Sequence, residues 1–215
     1  MKDGADALRG NGVGLVRERA LAARVQKGLE RLYGLDGGPA VEDYLSAADE
    51  GERETLFVRE GEDGVVEVAL KVPSLGERDF DLEDAAHLDR LCQLIEGVSH
   101  FVYFSHRAQG DRETTALEME VQAEVDKYVI LATSLGALNV RRSTRLRQRL
   151  YDAVRYGHEA HTELGERYRV ANRAAHRFVH HLERSYVAGG RFLEMRTELR
   201  RFFHLGQSEK MHLGR

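Results

Sequence analysis

Arg141, Arg142, Arg145, Arg147 and Arg149 put five positive charges into nine residues that contain no acid. Arg141, Arg145 and Arg149 recur every fourth residue, so on a helix they share one face. Guanidinium groups bond phosphate oxygens in pairs, so Arg141, Arg142, Arg145 and Arg149 on such a helix could track a nucleic-acid backbone, RNA or DNA. Beyond this segment the pattern changes. Arg155, Arg169, Arg173, Arg177 and Arg184 are interleaved with Asp152, Glu159, Glu163, Glu166 and Glu183. Arg155–Glu159 and Glu163–Arg167 are ordinary i, i+4 pairs, the mark of a solvated or internally paired face. No helix-turn-helix, RNP or zinc-finger signature accompanies the arginines.

A second set could do acid–base work. Glu67, Lys71, His100, Glu118 and Glu120, with Arg59, alternate with apolar residues in runs that read as strands. Several of them would then collect on one sheet face, and a Glu/His/Lys set in a concavity can move protons. The competing reading is a polar outer face that keeps the sheet soluble. Histidines offer a third possibility: His158 and His161 are three apart, His176 and His180 four apart, so each pair could share a helical face. No recognised ligand pattern surrounds them: Thr162, one turn beyond His158, offers a hydroxyl in place of a carboxylate, and there is no His-Glu-x-x-His and no cysteine pair. Gly10-Asn11-Gly12-Val13-Gly14 lacks both a preceding strand and a following Lys-Ser/Thr, so it is no phosphate loop. Cys92, beside Leu91, packs as core. The expectation is no catalytic constellation, no metal and no cofactor.

Elements that position these residues follow from periodicity. Leu21, Ala22, Val25, Leu29 and Leu32 recur at helical spacing from Leu15 to Tyr33, and Gly34 and Gly37-Gly38-Pro39 end that helix. A short helix is expected over Val41 to Ala48. Glu54–Glu60 and Val65–Val72 flank Gly61-Glu62-Asp63-Gly64, a hairpin signature. Asp81 or Asp84 can cap a helix through Ile95. VSHFVYFSHRA after Gly97, rich in β-branched and aromatic residues, reads as a third strand. In TTALEMEV the alternation of Thr115, Leu117, Met119 and Val121 reads as a fourth, although Leu117, Val121, Val125 and Tyr128 also fit a helix. A helix from about Gln122 to Leu135 follows under either reading. The fold class expected is α+β and helix-rich: a small antiparallel sheet in the order β-β-α-β-β-α, an N-terminal helix and a long C-terminal helical region.

That C-terminal region carries a 3,4 spacing from Leu150 through Val154, His161, Tyr168, Ala175 and Phe178 to Leu182 without a proline. One helix over Arg142–Val187 would be about 69 Å long, against about 44 Å across a compact body of this size. It must project, bend near Gly157 or Gly165, or pack along a second copy. Gly189-Gly190 then breaks it before a last helix carrying Phe192, Met195, Leu199, Phe202 and Phe203.

Charge divides the chain at the same place. Residues 1–140 hold 15 Lys+Arg and 28 Asp+Glu, net −13, while residues 141–215 hold 17 and 8, net +9, with seven of the ten histidines. We therefore read an acidic α+β domain over 1–140 and a basic helical region over 141–215. One cysteine fits a reducing cytoplasm, and the start MKDGADALRG has no apolar signal segment. The longest uncharged run, Tyr128 to Val140, is 13 residues, short of the roughly 20 that span a membrane. Arg- and Ala-rich chains are common in GC-rich bacterial genomes. The function expected is a non-enzymatic cytoplasmic interaction protein whose basic helical arm, with coiled-coil spacing, binds a protein partner or another copy. Nucleic-acid binding through the arginines and an enzyme built on the sheet face are the alternatives.

Overall fold

The computed structural model describes residues 15–61, 66–76, 83–110, 112–154 and 159–213. Helix α1 (Val16–Tyr33) buries Ala22, Val25, Leu29 and Tyr33 along one stripe, as its periodicity requires. A 3-10 turn over Val41–Asp43 leads into β1 (Leu45–Ala47), followed by β2 (Thr55–Glu60) and β3 (Val66–Val72). Then come α2 (Ala85–Gln109), α3 (Ala116–Ser134), α4 (Val140–Arg147), α5 (Glu163–Leu182), α6 (Phe192–His204) and α7 (Gln207–His212). Both α4 and α5 run on into a π-helical turn, over Gln148–Asp152 and Glu183–Val187.

The fold is α+β and helix-rich, as its composition and periodicity indicate. The hairpin is present, with Val58 opposite Val68 in an antiparallel register, while residues 62–65 of its turn lie outside the described residues. The short helix expected over Val41–Ala48 is instead a turn and a strand. β1 pairs parallel to β3, Leu45 opposite Leu70, which makes a mixed three-stranded sheet in the order β1-β3-β2.

The expected third and fourth strands are helices, so there is no β-β-α-β-β-α antiparallel sheet. The reason is burial. From Gln93 to Tyr103 every residue of α2 is buried, and a helix covered on all sides shows no polar face to betray its period. Gly97 sits inside this stretch, where an added Cβ would stand 2.8 Å from Leu70 Cδ1, so β3 lies directly on the helix. Asp84 caps α2, accepting from the amides of Ala86 and His87. The candidate cap Asp81 is outside the described residues. Thr115 caps α3, its Oγ1 accepting from the Glu118 amide at 3.1 Å. Contacts between α2 and α3 pair Glu96 with Lys127, Ser99 with Asp126, and Tyr103 with Glu118. Rising numbers on one helix meet falling numbers on the other, so the two run antiparallel.

The long helix expected over 142–187 is divided. Ala153 and Val154, after α4 and its π-helical turn, and residues 159–161 are not helical, and α5 is capped by Thr162, whose Oγ1 accepts from the Gly165 amide at 3.0 Å. A Cβ at Gly165 would lie 1.9 Å from the Glu159 carbonyl oxygen, so this turn requires a glycine. Gly157 is outside the described residues. Division lets α5 fold back along α3 instead of projecting, with Ala171, Ala174, Ala175, Phe178 and Leu182 buried and Phe178 stacked on Phe202 of α6. One apolar core results, continuous from Leu29 on α1 through Leu70 on β3 to Phe178 on α5 and Phe202 on α6.

A polar layer crosses this core. Asp126 accepts from Ser99 Oγ at 2.6 Å, from Gln122 Nε2 at 2.9 Å, and from Tyr33. Lys210 Nζ on α7 donates to Gln122 Oε1 at 2.8 Å and to the Tyr103 hydroxyl at 3.0 Å, and Tyr103 and Arg107 both bond Glu118. Each of these side chains makes at least one hydrogen bond within the layer, which offsets the cost of burying it, although Arg107 Nε has no hydrogen-bond partner. Among the described residues no helix is long and apolar enough to cross a membrane.

Candidate metal centre

Glu96 and His100 stand one turn apart on α2, and Glu120 and Glu124 one turn apart on α3. Antiparallel packing turns these pairs toward each other. One ligand atom each from Glu96, His100 and Glu120 lies within 4.8 Å of the other two, and all three residues are buried. His100 Nε2 is 3.6 Å from Glu120 Oε2, too far for a hydrogen bond. Both atoms are buried and without a hydrogen-bond partner. Two nitrogen or oxygen ligands held about 2.1 Å from one tetrahedral ion stand about 3.4 Å apart, close to that separation.

Charged groups surround this trio. Lys127 Nζ donates to Glu96 Oε2 at 3.2 Å and to Glu124 Oε1 at 2.8 Å. Arg167 Nε on α5 is 3.7 Å from Glu120 Oε1. Glu54, at the approach to β2, is buried nearby, its amide donating to Gln93 Oε1 on α2. Tyr151 donates its hydroxyl proton to the Glu124 carbonyl at 2.9 Å, closing the side toward α4.

Burial decides the protonation states. It pulls His100 down to about 4, so its imidazole is neutral at pH 7 and has a lone pair to offer. Burial, then Glu96, pushes Glu120 up to about 8. Burial likewise raises Glu54 well above the carboxylate range, helped by Glu96 and Glu120. Glu96 feels the same burial, but the Lys127 ammonium foremost, with Arg53, outweighs it and holds this carboxyl below its usual range. Burial also opposes the Lys127 ammonium, and Glu124 and Glu96 more than compensate. Ionised together, Glu54, Glu96, Glu120 and Glu124 would exceed Lys127 and Arg167 by two negative charges, and the half-exposed Arg53, which also acts on this group, is offset by Asp89 at 3.7 Å. A desolvated surplus of that size is strongly unfavourable. Either protons on Glu54 and Glu120 or a bound cation relieves it.

Of the residues singled out in the sequence, His100 and Glu120 meet here. Glu118 does not; it belongs to the polar layer. Glu67 is paired with Arg59 across the hairpin, and Lys71 with Asp49 at 3.1 Å. The five therefore do not share a sheet face, because His100, Glu118 and Glu120 are on helices. Among the arginines, Arg142 Nη1 donates to the Leu135 and Ala137 carbonyls, each at 2.9 Å. Arg145 and Arg149 both reach Glu83, at 2.7 and 3.4 Å, and Arg141 is exposed on α4. Three of the four thus bond the chain's own acceptors, tying α4 to the end of α3 and the approach to α2. His176 stacks on Tyr151 and lies 3.8 Å from Asp152, while His158 is outside the described residues.

Glu54, Glu96, Glu124 and Lys127 were not among the residues the sequence singled out. The signal was present as Glu96-x-x-x-His100 and Glu120-x-x-x-Glu124-x-x-Lys127, helical spacings within otherwise apolar runs. Reading both runs as strands hid it. Comparison with protein-family models, curated protein sequences and solved structures finds no match, so the case for this site stands on its own geometry.

Proposed function

We propose that this chain is a metal-binding protein that holds one divalent transition-metal ion between α2 and α3 through Glu96, His100 and Glu120. The observation that carries the reading is the convergence of three buried ligand atoms, two of them without a hydrogen-bond partner. A neutral imidazole nitrogen with two carboxylate oxygens suits zinc, manganese, iron(II) or cobalt(II). An ion there replaces the protons on Glu54 and Glu120 and links helices that otherwise meet through carboxyls short of counter-charge. Burial of the trio favours a bracing ion over an open catalytic one. Metal-free protein is expected to take up one equivalent of cobalt(II) in calorimetry, with a rise in melting temperature. His100→Gln is expected to abolish both effects. Absence of uptake by the folded wild type would end this reading.

A second reading is favoured by a different observation. A cavity of about 410 Å³ is lined by Tyr128, Val129, Ala132, Leu138, Phe192 and Met195, and Leu193, which follows Phe192 on α6, is 83% exposed. The first turn of α6 thus offers an apolar knob and lines an apolar hollow, which a two-fold pairing of identical chains can use reciprocally. In this reading the chain is an interaction protein that self-associates through its C-terminal helices. Sedimentation over a concentration series should show a dimer that Leu193→Asp dissociates. A wild type that stays monomeric at 100 μM, on the order of weak dimer affinities, would remove it.

A further inference from the structure

Lys127 is the one lysine on α3, and it is buried with its ammonium between Glu96 and Glu124, 3.2 and 2.8 Å from their oxygens. Its position is that of a second cation beside the trio, tethered to the chain. Resting on the metal-binding reading above, we propose that Lys127 sets the charge of the ion this centre accepts, favouring divalent over trivalent ions.

Charges in a desolvated space must come close to balance. Four carboxyls, Glu54, Glu96, Glu120 and Glu124, face two fixed cations, Lys127 and Arg167, while Arg53, which also acts on Glu54, Glu96 and Glu124, is half exposed and paired with Asp89 at 3.7 Å, so that pair adds no net charge. The surplus of two negative charges equals the charge of one divalent ion. A trivalent ion would leave a net positive charge among buried groups, which is costly where water cannot screen it. Removing the ammonium leaves a surplus of three, and the match passes to a trivalent ion. Removing the Glu124 charge instead leaves a surplus of one and moves the balance the opposite way. Electrostatic potential acts on each ion in proportion to its charge, so the ratio of the two affinities isolates this effect from any general loosening of the site.

The test uses the full chain with two probes, cobalt(II) followed by its absorption and terbium(III) followed by tyrosine-sensitised luminescence. Wild type is expected to prefer cobalt(II) and bind one per chain. Lys127→Met is expected to shift the ratio of affinities at least tenfold toward terbium(III). Lys127→Met combined with Glu124→Gln restores the surplus of two and should return the ratio to the wild-type value. Glu124→Gln alone, nearly isosteric, should shift it away from terbium(III), and this arm decides the matter if Lys127→Met fails to fold by circular dichroism. A ratio that stays at the wild-type value in the folded single variants, or moves the same way in both, overturns the role of Lys127 while leaving the metal centre intact. Wild type that takes up neither ion refutes the centre itself, and this inference with it.

Discussion

Replacing Lys210 by Met should reverse part of the pH dependence of stability. Lys210 is fully buried on α7, bonded to Gln122 and Tyr103 and set over the rings of Tyr103 and Phe202. Burial draws it down from 10.5 to about 7, against the pull of Glu118 and Asp126. Between those values the unfolded chain binds a proton that the folded chain has released. Stability from this group is therefore absent below pH 7 and grows as pH rises toward 10.5. Each pH unit inside the window contributes up to about 1.4 kcal/mol, so from pH 7 to 9 wild type should gain about 2 to 3 kcal/mol relative to Lys210→Met. The variant also loses two hydrogen bonds, a constant offset of about 1 to 3 kcal/mol that does not change the slope. Urea denaturation of both proteins at half-unit pH steps, in the presence of a chelator, reads the difference directly. Parallel curves from pH 7 to 9 would refute the placement of Lys210 as a neutral amine in the polar layer.

Glu120→Gln should have the opposite sign. The wild-type carboxyl is held up to about 8 when folded, so its contribution is present at low pH and is lost as pH rises to 8. In chelator, wild-type stability relative to the variant should fall by about 2 kcal/mol between pH 6.5 and 8. Gly165→Ala should destabilise by about 2 kcal/mol although alanine favours a helix by about 1, because the new Cβ meets the backbone rather than a movable side chain. Its obstacle is the Glu159 carbonyl oxygen at 1.9 Å, and a denaturation midpoint equal to or above wild type would contradict that geometry.

Where one face of an element stays wet, its sequence was legible. The stripe of α1 recurs as its burial does, and the β2–β3 hairpin carries a turn signature between two β-branched runs; both form as read. α2 was not legible between Gln93 and Tyr103, since complete burial removes the polar side that marks a helix and leaves a run resembling a strand. Thr115-x-x-Glu118 carried a helix-start signature that the alternation of Leu117, Met119 and Val121 obscured. The site shared this fate. His100 and Glu120 drew notice as titratable residues in apolar runs. Their partners Glu96, Glu124 and Lys127 become visible only on helices, where every third or fourth residue shares a face. Nor could the sequence show that the arginines of α4 and its π-helical turn would meet Glu83 and the carbonyls of Leu135 and Ala137, contacts that depend on the tertiary fold. The break before Thr162 was partly foreseeable from Gly165, whereas the π-helical turns have no marker we identify.

The most direct test of the metal centre is to locate the ion. Crystals of the wild-type chain grown with one equivalent of cobalt(II) should show a single anomalous peak at the cobalt edge between α2 and α3. It should lie about 2.0 to 2.2 Å from His100 Nε2 and from oxygens of Glu96 and Glu120. Anomalous scattering absent from that position, or confined to surface histidines such as His176, would contradict the account.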